Sequence, residues 1–182
     1  CVRECGMQNG WSNVEIWLCN QGASDFAGRI EYSVFNTSCT EPPGFSAIDI
    51  TVAADSSVCV CSLNSDKNSV IAIRAIESGK IISENTYIPV PVKYFNLPEA
   101  HISITMDENE EEYIFNLLSD RFAHAVELYM EDEDALFSDN FFDLLPGITK
   151  QILLIKNDTT AENLNTIINK LKFRTMNSVL SE

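Results

Sequence analysis

Carboxylates are the residues of this chain best suited to acid–base chemistry, and two clusters of them stand out. The clusters are Glu108, Glu110, Glu111 and Glu112, and Glu131, Asp132, Glu133 and Asp134. Acid–base catalysis by a pair of carboxyl groups needs two that face each other about 5 to 9 Å apart, one of them in a pocket that raises its pKa. Acidic side chains that follow one another along the chain are instead typical of solvated loops. We therefore expect no catalytic residue among them.

Metal ligands are a second class of candidates. Four aspartates could offer oxygen atoms to Ca²⁺: Asp132, Asp134, Asp139 and Asp143. Their spacing lacks the glycine and the terminal glutamate of an EF-hand. A zinc site is not indicated either, because the chain has no C-x-x-C pair and both histidines lie far from the cysteines in sequence. We expect a solvated loop here, with no metal and no cofactor.

All six cysteines lie within the first 61 residues: Cys1, Cys5, Cys19, Cys39, Cys59 and Cys61. On a strand, Cys59-x-Cys61 predicts two thiols on the same side. We expect Cys19, Cys59 and Cys61 to be buried free thiols that act as small hydrophobes. A disulfide from Cys1 or Cys5 to a strand cysteine stays open for an exported protein. A nucleophilic thiol is not expected, because no histidine is near in sequence.

Imidazole and indole side chains complete the candidates. His101 and His124 both begin predicted strands, where a half-exposed strand residue is the usual role. Trp11 and Trp17 have the flat rings that stack on sugars. Trp17 lies within a predicted strand, which favours packing over sugar binding.

The charge of the chain excludes several partners. Residues 1–94 hold 6 Lys or Arg against 10 Asp or Glu, and residues 95–182 hold 6 against 17. Nucleic acids and anionic membrane surfaces need clustered cations, so we expect neither as a partner. The chain also has no apolar run of about 18 residues, the length that a membrane-spanning helix needs. It starts at Cys1 without an initiator methionine, which we interpret as a processed or truncated piece.

These residues must be positioned by short strands, because apolar and polar residues alternate along the chain. Val14, Ile16 and Leu18, for example, share one face. Six such segments lie in the first half: Val14–Leu18, Arg29–Phe35, Ile48–Val52, Ser57–Leu63, Val70–Ile76 and Ile81–Ile88. Six strands separated by turn residues predict an antiparallel sandwich and not βαβ units.

A proline-rich segment divides the chain. Pro89, Pro91 and Pro98 lack the backbone donors that a central strand uses, so 89–98 is predicted to be a stiff domain boundary. Strands resume beyond it: Ile102–Met106, Tyr113–Leu118, His124–Met130, Phe141–Leu145 and Ile148–Ile155. The β pattern of the second half therefore predicts a second sandwich.

One helix is predicted near the end of the chain. Thr159 and Glu162 have the spacing of a capping box at its start. Four apolar residues then fall at helical spacing on one face: Leu164, Ile167, Ile168 and Leu171. A short strand over Lys172–Met176 is expected to close the domain, and the tail after Val179 to fray.

The most specific segment joins aromatic residues to a Pro-Gly turn. It comprises Phe137, Ser138, Asp139, Asn140, Phe141, Phe142, Asp143, Leu144, Leu145, Pro146 and Gly147. We call it the corner segment and interpret it as a strand end, a tight turn and a return strand. Pro146 followed by Gly147 predicts a type II turn. At least two of the three phenylalanines should anchor in the core, with Asp139 and Asn140 bonding loop backbone.

The corner segment resembles the C-terminal immunoglobulin-like domain of β-mannosidases of glycoside hydrolase family 2. Further segments are similar to the same region: Ile82–Tyr87, Asn96–Ile102, Ser119–Ala123 and Leu171–Asn177. The resemblance covers residues 80–177, whereas residues 1–79 match in pattern and position only.

The resemblance implies an all-β chain of two tandem immunoglobulin-like antiparallel β-sandwiches, the second with one short helix. Their expected ranges are 1–91 and 92–182. In this family a catalytic (β/α)8 barrel precedes these domains, and its two catalytic glutamates map to no residue here. Asn109-Glu110 has the order of the family's acid/base pair but lies in an acidic run, so we regard it as coincidence.

The implied function is that of a noncatalytic accessory region, which supports the barrel or an oligomer of a hydrolase of terminal β-mannosides. The catalytic barrel is the implied partner, and homodimerisation and weak glycan contact stay open. An independent carbohydrate-binding or protein-interaction module is the alternative. The compartment is undetermined, with export to the periplasm, exterior or lysosome expected over the cytoplasm.

Overall fold

The structure is a computed structural model that describes residues 2–8, 11–159 and 163–179. The chain forms two compact units, of which the first contains Cys1–Thr37 and Pro43–Asn96. The second contains Ser38–Pro42 and Leu97–Glu182. Each unit is an antiparallel sandwich of two sheets.

The described part of the first unit contains seven strands. They are β1 (Val2–Gln8), β2 (Trp11–Asn20), β3 (Phe26–Asn36), β4 (Ser46–Val52), β5 (Ser56–Asp66), β6 (Ser69–Glu77) and β7 (Lys80–Tyr87). One sheet has the order β1-β2-β5 and the other β4-β3-β6-β7. All six predicted strands are confirmed, and β1 is an additional strand that the alternation did not indicate. A single 3-10 turn, Val92–Tyr94, follows within the proline-rich segment.

The core of the first unit lies between its two sheets. Val14 and Ile16 of β2 are buried, as the predicted alternation requires, and they pack with Phe26, Ile30 and Ile71. Burial of each such side chain stabilises the fold by about 1.5–3 kcal/mol relative to exposure. The alternating sequence therefore explains which face of each sheet is buried.

The second unit, over its described residues, also contains seven strands, with two short helices. They are β8 (Ile102–Glu108), β9 (Glu112–Ser119), β10 (Ala123–Met130), β11 (Ala135–Phe137), β12 (Phe142–Leu144), β13 (Lys150–Thr159), α1 (Leu164–Lys170), β14 (Leu171–Arg174) and α2 (Met176–Val179). The sheets have the orders β11-β13-β9-β8 and β12-β10-β14. Phe115, Leu117, Val126, Ile152 and Leu154 form the centre of the core between them. No helix among the described residues is long and apolar enough to cross a membrane.

The predicted helix exists, but its predicted start is wrong. Thr159 is the last residue of β13 and pairs with Ala135. The N-cap is Asn163, whose side chain accepts a hydrogen bond from Thr166 N at 3.0 Å. Asparagine is a strong N-cap residue, so the helix starts only after the strand has ended. Glu162, the other half of the predicted capping box, lies outside the described residues.

The predicted apolar stripe of α1 is also narrower than expected. Ile167 is fully buried and Leu164 and Leu171 pack against the core, whereas Ile168 is 48% exposed. A helix of seven residues makes only about two turns, so it offers a short apolar face to the core. The closing strand ends at Arg174 rather than at Met176, because Met176 begins α2. The second sandwich therefore has two short helices instead of one.

Candidate functional site

The first acidic cluster forms a hairpin turn between β8 and β9. Asn109 organises this turn, because the N–H groups of Glu111 and Glu112 donate to its side-chain oxygen at 2.8 and 2.7 Å. Lys156 of β13 donates to Glu108 Oε2 at 2.7 Å. Asn109 and Glu110 are both exposed, and this pair forms part of the turn.

The second acidic cluster supplies ion pairs to α1 and β14. Glu133 accepts a hydrogen bond from Lys170 Nζ at 2.7 Å, and this bond raises the pKa of Lys170. Glu131 Oε2 lies 4.0 Å from Lys172 Nζ. Within the described part of the chain, no three His, Cys, Asp or Glu residues are grouped so as to hold a metal ion. These carboxylates fasten neighbouring elements of the fold.

The cysteines differ from their predicted placement. Cys19 and Cys59 are exposed and only Cys61 is half-buried, so the prediction of three buried thiols is wrong. Cys19 lies on the face of β2 opposite the buried Val14 and Ile16. In β5, a β-bulge separates the other two thiols, because the strand has one extra residue, Val60, where it passes the Ile16–Trp17 step of β2. The bulge reverses the alternation and places Cys59 and Cys61 on opposite faces. The disulfide that was left open for Cys1 or Cys5 involves side chains outside those that the structure describes.

The histidines and Trp17 make local hydrogen bonds. His101 precedes β8, is exposed, and its backbone N–H donates to Asp120 Oδ1 at 2.8 Å. His124 of β10 is half-buried, and its Nδ1 lies 2.8 Å from Asp143 Oδ1. Trp17 is half-buried, and its Nε1 donates to Glu15 at 2.9 Å.

The aromatic residues of the corner segment divide between core and solvent. Phe137 ends β11 and packs edge-on against Phe115, with ring centroids 5.7 Å apart. Phe142 of β12 is buried, whereas Phe141 is 64% exposed and has a φ of 58°. Two of the three phenylalanines therefore anchor the segment, as expected. The positive φ at Phe141 turns its ring away from the core.

The polar residues of the corner segment bind two neighbouring strands, β10 and β13. Ser138 binds β13 through a hydrogen bond, which its Oγ accepts from Leu153 N at 2.9 Å. Asn140 bonds the backbone of β10 through its side chain. Asp139 lies 3.2 Å from Lys150 Nζ, so its partner is a lysine and not the loop backbone that was expected.

Asp143 holds an irregular stretch of β10. Its Oδ1 accepts a hydrogen bond from Ala125 N at 2.8 Å and lies at the same distance from His124 Nδ1. Ala125 has a φ of 50°, an uncommon conformation for a residue other than glycine. The register between β10 and β12 shifts at this place. The carboxylate thus accepts a hydrogen bond from a backbone N–H group that the bulge leaves without a partner in the strand pairing.

The Pro-Gly turn ends the corner segment and links the two sheets. Ile148 N donates to Leu145 O at 3.2 Å, and Gly147 has a φ of 65°, as the predicted type II turn requires. Gly147 N donates to Ser119 O at 2.9 Å. Because β12 and β13 belong to different sheets, the segment is a corner between sheets and not a two-stranded hairpin.

Asn177 is an organising residue that the sequence analysis did not identify. It lies on α2, is 1% exposed, and accepts a hydrogen bond from His124 N at 2.9 Å. Its amide donates to Pro98 O at 2.8 Å and to Phe122 O at 2.9 Å. The sequence feature that could have identified Asn177 is its place in the segment that resembles the family's closing strand. Asn177 ties the end of the second unit to its beginning.

The fold and these contacts define the class of the chain, which is a tandem pair of immunoglobulin-like β-sandwiches. The Mannosidase Ig/CBM-like domain model matches residues 12–94, and the Ig-fold domain model of mannosidases matches residues 97–179. The chain therefore belongs to the mannosidase immunoglobulin-like domain families. A search of curated proteins finds no significant match.

Solved structures agree with the family models. The β-D-mannosidase of Dictyoglomus thermophilum superposes with a TM-score of 0.73 at 25% identity, over 96% of this chain and 21% of the mannosidase. The exo-chitosanase of Amycolatopsis orientalis superposes with a TM-score of 0.55 at 12% identity, over 97% of this chain and 25% of the chitosanase. The second likeness shows the fold alone. The chain spans about a fifth to a quarter of these enzymes.

Proposed function

We propose that this chain is the noncatalytic accessory region of a β-mannosidase-like glycoside hydrolase, whose reaction is the hydrolysis of terminal β-mannosides. The proposal rests on the succession of two mannosidase immunoglobulin-like domains in this chain. The Dictyoglomus β-mannosidase superposes on both of them. The candidate acids of this chain are engaged in turns and ion pairs. That environment does not supply the sheltered pair of carboxyl groups that glycoside hydrolysis uses.

We infer the role from the hydrogen bonds that hold the corner segment of the second sandwich in place. Its corner segment is fastened to β10 by Asn140 and to β13 by Ser138. A module braced in this way keeps its surface geometry, which suits the support of a neighbouring catalytic barrel or of an oligomer. We propose the barrel as the partner.

Two experiments test this function. The purified 182-residue chain should not release nitrophenol from p-nitrophenyl β-mannoside above the rate of buffer, and sustained turnover would contradict the accessory role. The coding frame upstream of Cys1 should contain a barrel pattern with an Asn-Glu pair. A stop codon directly upstream would show a free-standing protein and contradict the proposed parentage.

A second candidate function is carbohydrate binding by the first sandwich, which the Mannosidase Ig/CBM-like match to residues 12–94 favours. Trp17 is half-buried and leaves part of its ring to solvent. Titration with manno-oligosaccharides tests it: saturable binding that Trp17→Ala removes would support a glycan site, and no binding would exclude it.

A further inference from the structure

The first sandwich contains an open cavity of about 250 Å³. Ile16 and Ile30, which lie at its inner end, are 1% and 2% exposed, so the cavity stops at the core and leaves these two side chains covered. Ile82 of β7 also lines it and is 55% exposed, so the cavity opens to solvent beside this strand. Because the cavity opens to solvent, it can admit water or a small ligand.

Two β-bulges on facing sheets create the space. In one sheet, β5 has its extra residue, Val60, opposite the Ile16–Trp17 step of β2. In the other sheet, β7 has an extra residue, Ile82, opposite the Ala75–Ile76 step of β6. Both extra residues line the cavity. Because a bulge bends and twists its strand, two bulges at the same place keep the sheets from closing on each other.

The lining of the cavity is selective in its chemistry. Its inner part consists of aliphatic and aromatic side chains such as Ile16, Phe26 and Ile73, and Ser83 and Asn85 stand at the exposed side. None of the described residues that line it is charged. A charged ligand would lose its hydration there without gaining a partner. An apolar cavity of only about 150 Å³ in another protein stays dry and binds benzene.

We propose that this cavity binds a small uncharged molecule with one aromatic ring. The ring lies among the isoleucines between the sheets, and a hydroxyl or similar neutral group on it faces Ser83 and Asn85. The assignment is independent of the accessory function, because it concerns only the interior of the first sandwich.

The test uses the 182-residue chain with ¹³C-labelled isoleucine methyl groups and benzyl alcohol as the probe. Saturable shifts of the Ile16, Ile30 and Ile73 methyl signals are expected, with no comparable shift from benzoate or methyl β-mannoside. Absence of a saturable shift with benzyl alcohol would overturn the proposal. Saturable shifts with the mannoside alone would assign the cavity to sugars and would overturn it as well.

A variant that fills the cavity distinguishes binding inside the cavity from binding at the surface. Ala75 of β6 lines the cavity and is 7% exposed, so Ala75→Leu places a larger side chain into it. Binding of benzyl alcohol should weaken at least about tenfold. Ala27→Leu, at an exposed position of β3 in the same sheet, is the matched control and should bind as the parent chain does.

The exposed mouth provides a second variant in case Ala75→Leu does not fold. Ile82→Trp enlarges a residue that is already 55% exposed, so the fold should tolerate it. It should weaken binding to the same extent by closing the entrance. Unchanged binding in a folded, filled variant would show that benzyl alcohol binds elsewhere and would overturn the proposal.

Discussion

The side chain of Asn140 forms two hydrogen bonds with the backbone of Leu128 and so takes the place of a neighbouring strand's backbone. Leu128 N donates to Asn140 Oδ1 at 2.8 Å, and Asn140 Nδ2 donates to Leu128 O at 2.9 Å. The register that pairs Val126 with Phe142 would place the backbone of residue 140 opposite Leu128. The positive φ of Phe141 interrupts the ladder there, and the Asn140 amide satisfies both groups of Leu128.

Replacement of Asn140 by alanine should therefore lower the free energy of unfolding by about 2 kcal/mol, since it removes both partners of a buried backbone unit. Urea denaturation followed by circular dichroism measures the change. Asn140→Asp should also destabilise, because a carboxylate accepts from Leu128 N but repels Leu128 O. Asn157→Ala, an exposed position on β13, is the control and should leave the midpoint unchanged. Equal midpoints for Asn140→Ala and the control would refute the role of this bond.

Gly147→Ala should destabilise the second sandwich. Gly147 has a φ of 65°, and an added Cβ would lie 2.7 Å from Pro42 Cγ. The left-handed conformation alone costs a residue with a side chain about 1–2 kcal/mol, and the close contact adds to it. Gly44→Ala is the matched control, because a Cβ there meets nothing within 4 Å. Denaturant midpoints compare the two, and a loss no greater in Gly147→Ala than in Gly44→Ala would contradict this prediction.

Loss of the Asn177 side chain should be the most damaging of these changes. Asn177→Ala leaves His124 N, Pro98 O and Phe122 O without this partner in the second unit. A destabilisation of about 3 kcal/mol or more is expected from several unsatisfied polar groups. Thermal unfolding measures it, with Asn165→Ala on the exposed side of α1 as control. A thermal midpoint of Asn177→Ala within error of the control would show that α2 does not fasten the two ends of the second unit.

The thiols should react in an order that the bulge sets. Burial, with a smaller contribution from Cys59, raises the pKa of Cys61 above its ordinary value near 9.0. Because the thiolate is the reactive form, iodoacetamide at pH 8 should modify the exposed Cys19 and Cys59 before Cys61. Mass spectrometry of timed samples measures this order. Modification of Cys61 first would argue against the bulged register.

The same shift has a defined effect on stability against pH. The folded state favours the protonated thiol of Cys61, so its contribution to the free energy of unfolding is fully present below the ordinary thiol pKa. It is lost as the pH rises through the raised pKa. Denaturation of the parent chain should show a decline above about pH 9 that is smaller in Cys61→Ala. Identical pH profiles would show that this thiol does not contribute.

Much of the fold was predictable because strand formation leaves a local pattern. The alternation at Val14 and Ile16 identified the buried face of β2, and Pro146-Gly147 identified the turn. The start of α1 was not predictable from the capping pattern, because pairing of Thr159 with Ala135 extends β13 through the expected cap. That pairing joins residues that are distant in sequence.

The candidate site was predictable in part for the same reason. The corner segment was recognised from its residues, and burial of Phe137 and Phe142 agrees with the aromatic anchor that its composition indicated. The placement of Cys59 and Cys61 on opposite faces was not, because a single extra residue between them, Val60, reverses the alternation of β5. A bulge depends on the partner strand and leaves no period in the sequence.

The sequence by itself determined the all-β class, the tandem sandwiches and the similarity to mannosidase domains. The reason is that the alternation of apolar and polar residues, the turn residues and the sequence motifs are local properties of the chain. Only the tertiary structure decided which face Cys59 and Cys61 occupy, how Asn177 joins the ends of the second unit, and where the first sandwich leaves space between its sheets. These features depend on the register between strands and on contacts between distant residues, which one-dimensional patterns do not contain.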